Sequence, residues 1–126
     1  LPGNGTWWDY TSDRQIAPLR ISVSSDEHYY VKVVDAYTEE PVLALFIRSG
    51  RTAQVDVPTG TYRLKYAVGQ TWYGQEHRFG PETQYFEAED TFTFEIEGRR
   101  VRGHEIELIL QQGGNLRTDQ ISSNEF

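Results

Sequence analysis

The chain has 126 residues, 37% of them hydrophobic and 13% aromatic, with a formal net charge of −7. That length reads as one domain burying roughly two-thirds of its unfolded surface, and the apolar content excludes wholesale disorder. The negative charge disfavours nucleic acid and anionic lipid as partners, and the absence of cysteine removes disulfides, thiol catalysis and zinc–thiolate sites.

Eight Tyr, six Phe and three Trp lean toward strands, because flat bulky rings pack well on a pleated surface. No run of about eighteen apolar residues exists to span a bilayer. Any membrane link is therefore expected through a segment outside this chain. The opening Leu-Pro-Gly-Asn-Gly without an initiator Met reads as a processed piece whose leader or anchor has been removed.

Residues 1–18 read as an N-terminal lead-in, flexible at Pro2–Gly5 and then rich in rings at Trp7, Trp8 and Tyr10. These rings either staple the segment back onto the domain or form an exposed platform for a partner or a sugar. Strand signals begin near Pro18 and continue to residue 112. Leu19, Ile21 and Val23 alternate with Arg20, Ser22 and Ser24; Tyr29, Val31 and Val33 share one face of His28–Asp35. Val42–Arg48 is the most continuously apolar stretch, which predicts a strand covered on both faces. Ser49-Gly50 and Val57–Thr61 are read as hairpin turns into and out of Arg51–Val57, followed by alternating Tyr62, Leu64 and Tyr66.

Val68–Ala88 lacks a clear strand pattern and carries Trp72, Tyr73, His77, Phe79, Tyr85 and Phe86 among three glycines. A segment this long in a small domain is usually functional or ordered by its own packing. Asp90–Glu97 and His104–Leu110 then alternate again, the latter with Ile106, Leu108 and Leu110 inward. Residues 113–126 form a polar tail, either tacked down by Leu116, Ile121 and Phe126 or frayed.

Turn signals every 8–12 residues with no helical period indicate an all-β fold. The expectation is a single antiparallel β-sandwich of about seven strands, with the long aromatic loop between strands five and six; a barrel is the alternative. The positions Asp35, Pro41-Val42 and Pro58-Thr59-Gly60-Thr61-Tyr62 resemble the repeat of carboxypeptidase-regulatory-like, PEGA-like and prealbumin-like (transthyretin-like) sandwiches. That resemblance covers about 40 of the 126 residues and implies a fold rather than a function. The tryptophan-bearing loop and the Ile121-Ser122-Ser123 to Phe126 ending also resemble an uncharacterised bacterial domain of membrane-anchored proteins. This second resemblance implies an extracytoplasmic location, periplasmic or at the cell surface.

No catalytic set is recognisable, and the expectation is a non-enzyme without cofactor or metal. His28, His77 and His104 show no HxH or HExxH spacing. Transthyretin-like hydrolases end in Tyr-Arg-Gly-Ser, whereas this chain ends Ser123-Asn124-Glu125-Phe126. Glu82, Glu87, Glu89 and Asp90 lack the short spacing of a calcium loop and read as a solvated rim. Arg99, Arg100 and Arg102 make one basic patch, a solubilising loop or a contact for acidic groups. The best binding candidate is the loop 69–86, with Trp72, Tyr73 and Phe79 as apolar contacts and Glu76, His77 and Arg78 as polar orienters. Its partner would be a protein or a glycan, the latter also engaging Trp7 and Trp8. The competing readings are that these rings only cover a sheet edge, or that the domain is a structural or oligomerisation spacer.

Overall fold

Period-two alternation decides which side chains enter the interior. In β2 (Ala17–Val23), Ala17, Leu19, Ile21 and Val23 are buried while Arg20 between them is exposed. The same rule holds in β5 (Thr52–Val57), where Ala53, Val55 and Val57 are buried and Thr52, Gln54 and Asp56 face water. The structure is a computed structural model that describes residues 1–11, 15–23, 26–97, 100–108, 118–122 and 126.

Two sheets pack face to face, giving the expected all-β sandwich. The larger runs in the order β1 (Trp7–Asp9), β4 (Pro41–Ile47), β3 (His28–Asp35), β6 (Gly60–Gly69), β7 (Gln84–Glu97) and β10 (Thr118–Ile121). β8 (Arg100–Arg102) pairs with the C-terminal end of β7. The smaller sheet is β5, β2 and β9 (His104–Leu108). Between the sheets lies the main core: Leu19, Ile21, Val55 and Val57 from the smaller sheet meet Val31, Val33, Leu45, Ile47, Leu64 and Tyr66 from the larger.

Four details differ from the sequence reading. First, there are ten strands among the described residues, because the lead-in and the tail each lend one to the larger sheet and the short β8 adds a third. The backbone of 5–10 runs along β4, with Gly5 N donating to Phe46 O at 2.9 Å and Tyr10 N to Val42 O at 2.9 Å. Second, neither turn beside β5 makes a hairpin. β4 and β6 belong to the larger sheet and β5 to the smaller, so both connections are arches that change sheet. Alternation marks a strand's buried face but not its hydrogen-bonded neighbour, so the two cases look alike in sequence. Third, β2 and β9 are parallel, with Ile21 opposite Ile106. Fourth, β7 starts at Gln84, shortening the loop to residues 70–83. Its first half hides from pattern reading because Phe86 faces the main core while Tyr85 faces the other side, and both sides are covered.

The Pro-x-Gly-x-Tyr motif has a plain physical cause. The Tyr62 hydroxyl folds under the arch and donates to Pro58 O at 2.8 Å. A Cβ on Gly60 would sit 2.8 Å from that hydroxyl, so only glycine fits. At the end of β3, the Asp35 carboxylate accepts the amides of Thr38 (2.9 Å) and Tyr37 (2.8 Å), which hold it below the usual carboxylate pKa. The inward set expected at Ile106, Leu108 and Leu110, the side chains of the Arg99–Arg102 patch and of His104, and the placement of Leu116 all lie outside the described residues.

A candidate partner-binding surface

The outer face of the larger sheet carries a second apolar cluster. Val42–Ile47 sends Leu43, Leu45 and Ile47 into the main core and Ala44 and Phe46 outward, as its continuous apolarity predicts. Tyr30, Ala44, Phe46 and Ala67 form the floor, and Phe79 is laid over them from the loop at 4% exposure. Trp8, Trp72, Tyr85 and Phe126 pack around it, each partly buried.

The loop is fixed from beneath. The Trp72 ring lies 5.1 Å from both Phe46 and Tyr30 and 5.2 Å from Phe79, and stacks on Trp8 at 6.4 Å. Phe79 rests directly on backbone, for a Cβ at Gly69 would fall 2.4 Å from the Phe79 Cβ. Main-chain bonds close the tip: Arg78 N donates to Gly74 O at 2.6 Å and Tyr73 N to Arg78 O at 2.7 Å. Thr83 Oγ1 donates to Gly80 O at 2.6 Å and accepts the Phe79 amide at 3.1 Å. The Tyr10 hydroxyl donates to Gln75 Oε1, tying the loop to the N-terminal segment. Burial, with the Tyr10 hydroxyl beside it, pushes the Tyr30 phenol up from its ordinary value.

With those contacts in place, the six candidate residues divide. Phe79 is core and Trp72 is mostly so, whereas Tyr73 is 60% exposed. Tyr73 lies over Gly80, leaving no room for a side chain there. Tyr73, Glu76, His77 and Arg78 line one depression of about 570 Å³, completed by Pro81 and Tyr85. A second hollow of about 580 Å³ lies on the other side of Tyr73 and Pro81, bounded by Gln70, Thr71 and Glu82. The three tryptophans do not share a platform: Trp8 faces the outer cluster, while Trp7 lies beside Gln54 and Asp56. Of the acids expected as a solvated rim, Glu82, Glu89 and Asp90 are exposed. Glu87 pairs with Arg63 at 3.4 Å, and among the described residues no three His, Asp or Glu side chains could hold a metal.

No family model, curated protein or solved structure matches this chain.

Sequence reasoning missed Lys32, and it named Phe126 only as one of three residues tacking the tail down. Lys32 is the one charge inside the run Tyr29–Val34, and that interruption was the available signal. Its outward position on β3 brings Nζ to 3.0 Å from Phe126 O and 4.4 Å from the Phe126 ring centroid. The Arg78 guanidinium lies 4.7 Å from the same centroid. Burial, then the charges of Arg78 and Lys65, push the Lys32 ammonium down to about 8. Between that value and 10.5 the unfolded chain holds a proton the folded chain has released, so the Lys32 contribution to stability rises with pH across this window. Urea midpoints of the wild type and Lys32→Met are expected to differ most near neutral pH and to converge above pH 8.

Proposed function

We propose that this domain is a non-catalytic binding module that meets a protein partner at the depression beside Tyr73. The observation that supports this most directly is the division of labour in the loop. Trp72 and Phe79 anchor it, while Tyr73, Glu76, His77 and Arg78 line one open hollow. A ring held rigid and exposed loses little entropy on binding, which is why such residues dominate interface energies. The resemblance to prealbumin-like and carboxypeptidase-regulatory-like sandwiches goes with this reading, in which an inert scaffold of a larger bacterial extracytoplasmic protein displays a loop.

The test uses a second exposed tyrosine as its control. Tyr37 is 84% exposed on the β3–β4 turn. A photocrosslinker at position 73, but not at 37, is expected to capture one defined partner. Tyr73→Ala should then weaken that partner by about 2 kcal/mol, roughly 30-fold, with an unchanged melting temperature. Equal capture from both positions would refute the reading.

One observation favours a second reading, a structural or oligomerisation spacer: two of the loop's three apolar candidates are consumed in the outer cluster. Light scattering that gives a mass rising with concentration, together with no capture at position 73, would select it.

A further inference from the structure

The second hollow bordering Tyr73 has a chemistry of its own. It opens at the end of the larger sheet, where the chain leaves β6 at Gln70 and re-enters the sheet in β7 at Gln84. Buried Phe79 lines it, and the Tyr73 ring is a wall it shares with the first hollow. Glu82 borders it from the short 3-10 turn Gly80–Glu82, and Glu27 from just before β3. Its volume of about 580 Å³ lies within the span of about 300–1,000 Å³ usual for small-molecule sites.

The supports of this hollow are rigid. Gln84 stands opposite Val68 in the β6–β7 ladder, and the Gln70 amide is fixed by donating from Nε2 to Asp26 O at 3.0 Å. The 3-10 turn is closed by Thr83 N donating to Gly80 O at 3.1 Å. Groups held in place beforehand lose little entropy when a ligand arrives. Tyr73, 60% exposed, offers a flat face whose negative quadrupole attracts C–H groups. The rest of the lining is polar: Glu27 and Glu82 supply carboxylates, Gln70 and Gln84 supply amides, and no Lys, Arg or His lines it among the described residues. An anionic ligand would therefore meet repulsion with no counter-charge. A lone ammonium uses acceptors only, so it would leave the Gln84 amide donor and most of the volume idle. A sugar hydroxyl both donates and accepts, and so suits carboxylate and amide alike.

We propose that this hollow binds a short neutral saccharide, stacked on the Tyr73 ring and hydrogen-bonded through its hydroxyls to Glu82 and Gln84. A β-linked glucan fits this chemistry best, because its equatorial hydroxyls point toward the rim and leave flat C–H faces for the ring. The inference goes beyond the protein-partner reading: Glu76, His77 and Arg78 line the other hollow and take no part here.

The experiment follows the Gln84 side-chain amide resonances of the full chain at neutral pH. Millimolar cellotetraose is expected to shift them saturably, while trigalacturonate and acetyl-Lys-Lys-Lys-amide at matched ionic strength leave them in place. Glu82→Ala should weaken the saccharide roughly tenfold with an unchanged melting temperature, since that side chain is exposed. Tyr73→Ala should weaken it by a similar factor and Tyr73→Phe should not, because the ring carries the stacking. No saturable shift from cellotetraose, an equal shift from trigalacturonate, or an affinity untouched by Glu82→Ala overturns the proposal. An equal or larger shift from the lysine peptide overturns it in favour of a basic side chain from a partner. Glu82→Ala should leave the affinity of the partner captured at position 73 unchanged, so the saccharide site and the protein-partner reading fail independently.

Discussion

Phe79→Ala is expected to cost about 3–4 kcal/mol, read as a lower urea midpoint with an unchanged slope. The ring is 4% exposed, lies 5.2 Å from Trp72 and 6.2 Å from Phe46, and covers the bare backbone of Gly69. Removing it leaves a hole that the sheet beneath cannot close, since Phe46 and Ala67 are fixed by strand pairing on both sides. Tryptophan emission should shift to the red as Trp72 loses its cover. The main core lies on the opposite face, so the far-ultraviolet strand signal should persist. Phe79→Leu should recover most of the loss because it refills the site with apolar volume. A loss under about 1 kcal/mol for the alanine variant would mean that the outer cluster is not a core, and the loop would then have no rigid support.

Gly103→Ala is expected to destabilise by about 2–3 kcal/mol, through crowding rather than a cavity. Gly103 carries the chain from β8, paired on the larger sheet, to β9 in the smaller. A Cβ there would fall 2.3 Å from Pro18 O and 2.6 Å from Pro18 Cγ. Pro18 cannot give way, because β2 is the central strand of the smaller sheet and pairs with β5 on one side and β9 on the other. The relief must come from β9, so hydrogen exchange should accelerate along His104–Leu108 while β3 and β6 stay protected. Gly50→Ala is the control: its φ of 66 disfavours alanine but nothing lies within 4 Å of the added Cβ. It should cost only about 1 kcal/mol. Equal effects at the two glycines would mean that β9 is not pressed against β2.

Much of the fold is legible in the sequence, and the failures have causes. The alternation of Leu19, Ile21 and Val23, or of Ala53, Val55 and Val57, identifies strands and buried faces because a pleat permits no other arrangement. The unbroken Val42–Ile47 run correctly indicates a strand covered on both sides. Gln84–Ala88 defeats the same method for the same reason. Tyr85 and Phe86 are both apolar because each face has a cover, and two covered faces erase the alternation.

For the candidate surface, ring density and length identify the loop, but they do not say which rings turn in. Trp72, Tyr73 and Phe79 have equal standing in sequence. Their fates differ because Gly69 leaves a bare patch of backbone for Phe79, and Phe46 and Tyr30 receive Trp72, while Tyr73 lies over Gly80 at the rim. Lys32 and Arg78 stand 46 positions apart, and the Phe126 ring over which both cations lie comes from 48 positions further on.

By itself the sequence determined that this chain makes amphipathic and doubly covered strands around one apolar interior, with a ring-bearing loop beside them. Side-chain period is local, set by the geometry of the extended backbone, and so is written residue by residue. Only the tertiary structure decided that β5 leaves its neighbours for the other sheet, that β9 joins β2 in parallel, and that Phe79 is buried while Tyr73 is left in water. Those choices depend on which surfaces meet across the sandwich, and no local pattern carries that.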